Sequence, residues 1–370
     1  MIINIDREKL IMPLKQMVGV SEKKQTMPIL GNVLFRGCGD SLLLVSSDLE
    51  VEVSTKIDYS VEGEINTTMP ARKLLDILKS LPGTKPIEID VGENKATIKS
   101  GKSRFTLATL PGADFPYKDE PVSFNFSSTA EEFDKLIGQT GFSMATQDAR
   151  HFLNGMFLET SSTNLTVVAT DGHRLSMSSC PAKNNTPEPV TCIIPRKCII
   201  EVKRILASFK DNKENIIEFS VSNKEILLKI DKFLIKSKLI EGNYPDYNKV
   251  FPESLPHKLN VDKDDLRSAL QRMSILSNEQ FKGVKLSLNN SEMMLSTNNP
   301  SQEEGEDSIP CTYTGDSFDI GFNLSYLLEV IDVISSDNIE IQLNSADSGC
   351  LISSDDKTLS NKYIIMPMRV

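Results

Sequence analysis

The segment 170–175, TDGHRL, contains the residue types that could most directly carry out catalysis. Together with Ser176, its Asp171 and His173 supply the nucleophile, base and orienting carboxylate that a serine-type hydrolase needs. Residues this close in the chain rarely reach the geometry of a proton relay, and the G-x-S-x-G nucleophile motif is missing. Asp171 and Gly172 also form a typical turn after a strand. We keep the hydrolase as the alternative function and expect no catalysis by this chain alone.

Metal ligands and cofactor motifs are sparse. The cysteines form no C-x-x-C pair, and no histidine stands near them at the spacing of a zinc site. No P-loop or dinucleotide-binding glycine motif occurs, and no carboxylate cluster suggests the metal site of a nucleotidyl transferase. The cysteines are Cys38, Cys180, Cys192, Cys198, Cys311 and Cys350, and the histidines are His151, His173 and His257. We therefore expect no metal, no cofactor and reduced, mostly packed thiols.

The composition is that of an ordinary folded protein with an acidic balance of charge. The chain has 370 residues, 39% of them apolar and 25% charged, with a formal net charge of −10 and a pI near 5.1. This charge argues against a surface covered by nucleic acid, although a local basic surface is compatible with it. The N-terminal MIINIDREKL becomes charged too early for a signal peptide, and no run of about 18 apolar residues occurs. We expect a soluble cytoplasmic protein with two or three domains.

Three helix-like segments are the first sign of an internal repeat. They cover residues 6–18, 129–145 and 262–276, and each opens with a helix-capping residue and early acids. Their apolar residues recur at helical spacing, which gives each segment one buried face. Pro13 in the first copy predicts a short or kinked helix there.

Strands and a second helix follow each of these segments in the same order. Gly31, Gly155 and Gly283 mark the first hairpin of each copy and are separated by 124 and 128 residues. Alternating apolar residues on both sides of a turn indicate antiparallel hairpins. A strand then leads into a second amphipathic segment, which reads TTMPARKLLDILKSL, CIIPRKCIIEVKRIL and DIGFNLSYLLEVIDVI in the three copies.

The repeats predict three structurally similar domains, at residues 1–121, 122–250 and 251–370. Each domain should have two helices packed on a largely antiparallel sheet, which makes the fold class α+β. A constant rotation between neighbouring repeats predicts a curved arc of three domains.

Several short motifs in the chain are distinctive: TMPILGN, TLPGADFP, FSMATQDAR, NGMFLE, TDGHRL, IIPRK, ILSNEQFKGV, FNLSYLL and the terminal MPMR. They extend from Thr26 to Arg369, and together they resemble the bacterial DNA polymerase III beta subunit family, the beta sliding clamps. The resemblance implies that two chains join head to tail in a closed homodimeric ring, with helices around the central hole. It also implies a processivity factor for DNA replication that encircles duplex DNA, slides without sequence specificity and tethers the replicative polymerase. The clamp loader and other proteins with a clamp-binding motif are further implied partners of this non-catalytic holoenzyme subunit.

A sliding ring should offer cations to phosphates without reading bases, so DNA contacts are expected from side chains near helix ends. Each of these is by itself also an ordinary surface residue. ARK and PRK recur at equivalent points of the first two repeats, whereas the third has Asn323 and Ser325, which leaves contact by that copy open. The expected DNA-binding residues are Lys23, Lys24, Arg72, Lys73, Gln147, Arg196, Lys197, Lys203 and Arg204.

The family docks short linear peptides in an apolar cleft between its second and third domains. Methionine and branched aliphatic residues suit such a cleft, because adaptable apolar walls accept several related peptides. Leu153 or Ile365 alone would equally fit an ordinary core. His151 and Phe152 stand where family members often carry tyrosines, which leaves DNA contacts there open. The residues that match the cleft are Leu153, Thr170, Gly172, His173, Arg174, Leu175, Pro245, Val250, Ile364, Ile365, Met366, Pro367, Met368 and Arg369.

Two segments of opposite charge supply parts for the head-to-tail joint. On spacing alone they would be a solvated acidic loop and an edge strand, since surface charge runs usually contribute little. The resemblance instead places them in the dimer interface, with apolar residues at its centre. The basic segment contributes Lys102, Arg104, Phe105 and Leu107, and the acidic partner region contributes Ile275, Leu276, Glu303 and Glu304.

Overall fold

The computed structural model describes residues 1–21, 27–60, 63–83, 86–182, 189–209, 215–252, 255–355 and 358–369. Within these ranges the three repeats follow one order: a strand, a helix, four strands, a helix and three strands. The first and third copies each carry one additional short strand. The observed architecture therefore confirms the predicted α+β class with three similar domains.

The helices and strands have the following bounds. The first repeat contains β1 (Ile2–Ile5), α1 (Arg7–Met17), β2 (Asn32–Cys38), β3 (Ser41–Ser47), β4 (Val51–Asp58), β5 (Asn66–Pro70), α2 (Ala71–Ser80), β6 (Ile87–Val91), β7 (Lys95–Ser100), β8 (Ser103–Ala108) and β9 (Leu110–Pro111). The second contains β10 (Phe126–Thr129), α3 (Ala130–Thr140), β11 (Gly155–Thr160), β12 (Asn164–Thr170), β13 (Arg174–Pro181), β14 (Thr191–Pro195), α4 (Arg196–Leu206), β15 (Ile216–Val221), β16 (Glu225–Ile230) and β17 (Phe233–Lys238). The third contains β18 (His257–Asp262), α5 (Lys263–Ser274), β19 (Gly283–Leu288), β20 (Glu292–Asn298), β21 (Glu304–Pro310), β22 (Thr312–Thr314), β23 (Phe318–Asn323), α6 (Leu324–Val333), β24 (Asn338–Leu343), β25 (Cys350–Asp355) and β26 (Ser360–Ile365).

The helices form where apolar residues recur at helical spacing, and α5 and α6 also begin with a capping side chain. Helix α2 buries Leu74, Leu75 and Leu78 along one face, as its helical spacing predicts. The carboxylate of Asp262 accepts the first N–H groups of α5, which are otherwise unsatisfied at a helix start. Helix α1 continues through Pro13. It is 11 residues long, as is α3, so the proline does not shorten it.

The chain divides into two compact units, each with one nine-stranded and one four-stranded sheet. The first unit is Met1–Glu131 with Lys197–Leu239, and the second is Glu132–Arg196 with Ile240–Val370. The sheets of the first unit have the orders β10-β15-β16-β17-β4-β3-β2-β5-β9 and β1-β6-β7-β8. Those of the second have the orders β14-β11-β12-β13-β26-β25-β24-β18-β22 and β21-β20-β19-β23.

In the middle of each large sheet a strand of one repeat pairs with the last strand of the next repeat, and the two junctions correspond to each other. In the first unit β4 pairs antiparallel with β17, and Val53 lies opposite Ile235. In the second unit β13 pairs antiparallel with β26, and Ser176 lies opposite Tyr363. These pairings fix the register of both large sheets, because a slip by one residue would turn every buried side chain to the other face.

No helix among the described residues is both long and apolar enough to span a membrane. The cysteines whose side chains are described are reduced thiols: Cys180, Cys192, Cys198, Cys311 and Cys350.

Candidate functional site

A tight turn between β12 and β13 forms one side of the candidate site. Thr170 Oγ1 accepts a hydrogen bond from Gly172 N at 3.1 Å and donates one to Arg174 O at 2.6 Å. The Oδ1 atom of Asp171 accepts the N–H groups of His173 and Arg174 at 2.9 and 3.1 Å. Short polar side chains thus satisfy the backbone of this turn, which is the usual role of Asp and Thr beside a glycine.

Arg150 covers the outside of this turn. Its guanidinium pairs with Asp148 at 3.0 Å and donates to Asp171 O at 3.2 Å. The hydrogen bonds from Arg150 lower the pKa of the Asp148 carboxyl to about 2. Gly172 has a φ of +88°, and a Cβ on it would lie 2.8 Å from Arg150 Nη2. The backbone angle therefore favours glycine here, and a side chain at this position would also displace the end of the flexible Arg150 side chain.

The turn does not assemble the groups of a hydrolase. Ser176 is only 1% exposed and shares a hydrogen bond of 2.6 Å with Ser143 Oγ. The Asp171 carboxylate is used by the backbone of the turn and by Arg174 Nε at 3.1 Å, rather than by the His173 ring. A buried serine and a carboxylate committed to structure cannot form the relay that the sequence suggested as an alternative.

Arg174 joins the turn to helix α6. Its side chain is 8% exposed, and its guanidinium contacts Asp171, the carbonyl oxygen of Phe142 at 2.7 Å and the Glu329 carboxylate of α6. The same group lies over the Tyr326 ring, 4.3 Å from its centroid. A guanidinium held by two carboxylates and an aromatic face has one preferred position, so this side of the site is preformed.

A second wall comes from the segment before residue 251. The Tyr244 ring stacks on Phe157 with centroids 4.8 Å apart, and the Tyr247 hydroxyl donates to Glu159 Oε2 at 2.6 Å. Burial raises the pKa of both phenols, and the hydrogen bond to Glu159 raises that of Tyr247 further. Both tyrosines therefore stay neutral and serve as aromatic walls with a fixed polar end.

The end of β26 supplies the third wall. Ile364 is buried in a small cluster with Val168, Leu175 and Tyr247. Met366 follows directly, its N–H donates to His173 O at 2.9 Å, and its side chain is 43% exposed. An exposed methionine above a buried aliphatic floor leaves the cavity open on one side.

These three walls enclose a cavity of about 340 Å³ within the second unit. Its size and apolar lining with a few polar groups at the edge are typical of ligand pockets. It brings together nine of the residues expected from the sequence: Leu153, Thr170, Gly172, Arg174, Leu175, Pro245, Val250, Ile364 and Met366.

Other expected pocket residues do not line the cavity: His173, Ile365, Pro367, Met368 and Arg369. Ile365 is fully buried in the main core of the unit, and Met368 N donates to Gly321 O at 2.9 Å. Conversely, sequence reasoning did not assign Arg150, Phe152, Tyr244 and Tyr247, which do line it. The two tyrosines flank Pro245 in NYPDY, and aromatic residues beside a recognised turn were the available signal.

The expected DNA-binding residues fall into three groups. Arg72 and Lys73 are exposed in the first turn of α2, which contains no acidic residue. Gln147, with a φ of +57°, and Lys203 are also exposed. Lys23 and Lys24 lie outside the described residues.

The third group is engaged within its own unit. Arg196 donates to Met144 O at 3.0 Å. Lys197 forms an ion pair with the buried Asp48 carboxylate, and Arg204 forms one with Glu201. Lys197 and Arg204 are therefore partly neutralised by carboxylates, whereas Arg196 keeps its charge because its partner is a neutral carbonyl.

The two segments of opposite charge both lie at sheet edges. Strand β8 is the last strand of its four-stranded sheet and carries Arg104 and the 37% exposed Phe105. Strand β21 ends the four-stranded sheet of the second unit, and Glu304 begins it. Ile275, at the end of α5, is 77% exposed. Lys102 and Glu303 are exposed beside these strands, Leu276 is half-buried, and Leu107 is buried.

The fold and the pocket define a class: a protein of repeated α+β domains with a preformed apolar pocket, in which the turn at residues 170–176 forms no hydrolase relay. Family models of the DNA polymerase III beta subunit match its N-terminal domain at residues 1–119, its central domain at 128–246 and its C-terminal domain at 248–369. The beta sliding clamp of Pseudomonas aeruginosa is 42% identical over 370 residues, and that of Escherichia coli K12 is 38% identical over 368, with 99% of each chain covered. The crystal structure of the DNA polymerase III subunit beta from P. aeruginosa superposes with a TM-score of 0.94 at 40% identity, covering 100% of both chains. A sliding clamp structure from the same organism, bound to griselimycin, has a TM-score of 0.93 at 40% identity and the same coverage.

The chain belongs to the bacterial DNA polymerase III beta subunit family, the beta sliding clamps. It is accordingly a DNA polymerase processivity factor and a non-catalytic subunit of the polymerase.

Proposed function

We propose that the 340 Å³ cavity docks linear peptide segments of the replicative polymerase, the clamp loader and other proteins with a clamp-binding motif. One observation carries this proposal: the cavity has an apolar floor, aromatic and arginine walls that are already fixed, and an exposed Met366 at its edge. A rigid apolar frame lowers the entropy lost on binding, and a flexible methionine lets related peptides fit.

We further propose that two copies join through β8 of one and β21 of the other. Both strands end their sheets and so present unpaired backbone groups. The charges beside them are opposite, which favours a head-to-tail contact over a contact between like strands. Because such a contact uses two different surfaces, it forms twice in a closed dimer.

The DNA contact in this proposal is loose and without sequence specificity. The exposed residues Arg72, Lys73, Gln147 and Lys203 can approach phosphates, whereas the chain as a whole carries a net charge of −10. A net negative protein does not hold duplex DNA by charge alone. Encirclement by a closed dimer retains DNA without strong contacts, and weak contacts allow sliding.

Two further proposals concern the domain limits and the cellular location. Domain limits at 1–121, 122–250 and 251–370 are supported by family models that match 1–119, 128–246 and 248–369. A cytoplasmic location is proposed because a DNA polymerase III subunit works where the bacterial chromosome is.

The pocket is tested by binding a fluorescent peptide from the clamp-binding motif of a matched bacterial polymerase. Met366→Ala should weaken binding about tenfold, because it removes the exposed apolar edge of the cavity. Met294 is 41% exposed on β20 and does not line the cavity, so Met294→Ala is a matched control. Equal binding by Met366→Ala and the unchanged protein, or an equal loss in both variants, would show that the peptide docks elsewhere.

A further inference from the structure

A cavity of about 410 Å³ lies in the first unit, beside the start of β4 and the end of β17. Phe115 and Pro116 form part of its wall, as Tyr244 and Pro245 do in the cavity at Met366. The function proposed above does not use this cavity of the first unit. Its position in the repeat shows what it is related to.

The strand pairing at this cavity is the same as at the cavity of the second unit. Glu52 is the second residue of β4 and lies opposite Lys236 of β17. Leu175 is the second residue of β13 and lies opposite Ile364 of β26. Glu52 and Lys236 line the first cavity, and Leu175 and Ile364 line the second. The two charged residues therefore occupy the positions of the two aliphatic ones.

The backbone hydrogen bonds at the edges of the two cavities also correspond. Lys238 N donates to Glu50 O at 3.0 Å, and Met366 N donates to His173 O at 2.9 Å. Lys238 thus stands where the second unit has its exposed methionine. The two cavities share one backbone plan and differ in the side chains placed on it.

The floor of the cavity in the first unit is charged. Lys236 forms ion pairs with Glu225 at 3.0 Å and with Glu120 at 3.6 Å, and Glu52 interacts electrostatically with the same ammonium group. Burial raises the pKa of Glu52 to about 7, although Lys236 opposes this shift. The carboxyl group of Glu52 is therefore already partly deprived of water.

An apolar peptide that covered this floor would remove the remaining water from both charged groups. Removing water from a charged group costs free energy that apolar contacts do not return. In the second unit the same positions hold Leu175 and Ile364, which are buried in an apolar cluster and gain from being covered. The difference in the floor thus separates two cavities of similar backbone.

We propose that Glu52 and Lys236 are specificity-determining residues that exclude clamp-binding peptides from the first unit. This inference rests on the peptide docking proposed above for the cavity at Met366. Each chain then docks one such peptide, because a charged pair at the equivalent site acts against the wrong position. The exchange Glu52→Leu with Lys236→Ile gives the first unit the floor of the second and should open a second docking site.

Isothermal titration calorimetry of the full-length protein with a clamp-binding peptide counts the sites. The unchanged chain should bind one peptide and the exchanged chain two, the second with a Kd within about a hundredfold of the first. One peptide per chain in the exchanged protein, or two in the unchanged protein, overturns the proposal.

A matched control uses another ion pair of the same sheet. Glu218 on β15 lies opposite Lys229 on β16, their charged groups are 2.7 Å apart, and neither residue lines the cavity. Glu218→Leu with Lys229→Ile makes the same two changes elsewhere and should keep one peptide per chain. A second peptide in this control would show that any added apolar pair creates a site, and would overturn the role of the floor.

The reverse exchange tests the same inference if the first exchange prevents folding. Leu175→Glu with Ile364→Lys places the charged pair on the floor of the cavity at Met366, at positions where the first unit already carries it. Peptide binding should weaken at least about tenfold. Unchanged binding would mean that charge on the floor does not decide which cavity docks the peptide.

A photo-reactive benzoyl-phenylalanine in the peptide, followed by mass spectrometry, locates the sites. The unchanged chain should cross-link at 244–247 and 364–366, and the exchanged chain also at 115–118 and 236–238. Cross-links to neither segment of the second unit would overturn the peptide-docking proposal itself. Cross-links there without the new set in the exchanged chain would overturn only the role of Glu52 and Lys236.

Discussion

Arg174 and Asp171 act as a pair that shapes the cavity proposed to dock peptides. Asp171 holds the backbone of the turn and one edge of the guanidinium, and Glu329 with Tyr326 hold the rest of it. A pair that is buried and satisfied in this way positions a wall rather than moving a proton. Asp171, the carboxylate of the possible catalytic set, is therefore used to hold the turn and Arg174 in place.

Glu52 on β4 is the residue whose ionisation should affect stability most visibly. Burial raises its pKa from 4.5 to about 7, Lys236 opposes this shift, and Glu225 and Glu120 add to it. Because the folded pKa is above the unfolded value, the stability linked to Glu52 is present at low pH and is lost as pH rises from about 4.5 to 7. Glu52→Gln should raise the free energy of unfolding by about 1 to 3 kcal/mol at pH 8, with a much smaller gain at pH 5.

Thermal unfolding at pH 5 and pH 8 measures this effect. Glu218 on β15 is a suitable control, because its exposed carboxylate pairs with Lys229 on the surface of the same sheet. Glu218→Gln should change stability by less than about 0.5 kcal/mol at either pH. A gain for Glu52→Gln that is equal at both pH values would mean that Glu52 does not stay protonated in the fold.

Residue roles were predictable from sequence only where they depend on residues that are close together in the chain. The turn formed by Asp171 and Gly172 follows from its residue types, and Met366 follows from the terminal motif. The position of Arg150 over Gly172 and the ion pair between Lys197 and Asp48 depend on tertiary contacts. No pattern of spacing along the chain predicts these contacts. This is why Lys197 was expected to be a DNA-binding residue.

Helix α2 begins with two cations at the end where a helix favours anions. Arg72 and Lys73 stand in its first turn, and the helix dipole disfavours positive charge there by about 0.3 to 1 kcal/mol each. Stability does not explain their presence, whereas the proposed contact with phosphate would. The charge reversal Arg72→Glu with Lys73→Glu should therefore raise thermal stability slightly while it weakens duplex binding.

Fluorescence anisotropy with a short duplex at low salt measures the DNA part of this prediction. The slope of log affinity against log salt should fall by about 2, one for each phosphate that the variant no longer neutralises. Lys224 is exposed in the turn between β15 and β16, and Lys224→Glu should leave the slope unchanged. If the double variant keeps the full slope, α2 does not contact DNA.

The edge strands predict a dimer that one exposed residue can break. Ile275 is 77% exposed in the single chain, so Ile275→Asp does not disturb the core, but it places a charge in the proposed joint. The dimer dissociation constant should rise at least about tenfold, as measured by sedimentation.

A matched variant separates the joint from general surface effects. Ile216 is 52% exposed at the start of β15, and Ile216→Asp adds the same charge in a sheet that contains neither β8 nor β21. It should sediment as the unchanged dimer. If Ile275→Asp also remains fully dimeric, the interface uses other elements.

The order of helices and strands was predictable because the same sequence pattern occurs in each of the three repeats. Gly31, Gly155 and Gly283 directly precede or begin β2, β11 and β19, as the strand patterns indicate. Which repeats share a sheet was not predictable, because the pairings of β4 with β17 and of β13 with β26 join strands that are more than 170 residues apart. Alternating hydrophobicity defines a strand but not its partner.

On the scale of the whole molecule, the net charge of −10 favours retention by topology over retention by affinity. A clamp of this kind helps a polymerase only when it encircles DNA and holds the polymerase at the same time. In the proposed account, the edge strands β8 and β21 and the α2 cations serve the first requirement. The cavity at Met366 serves the second.

Processive primer extension on a long circular template tests that activity most directly. The assay uses a bacterial replicative polymerase with its clamp loader, with and without this protein. We predict much longer products when the protein is present, and loss of this stimulation when Met366 and Leu175 are both changed to alanine. No stimulation with a matched polymerase and loader would contradict the account.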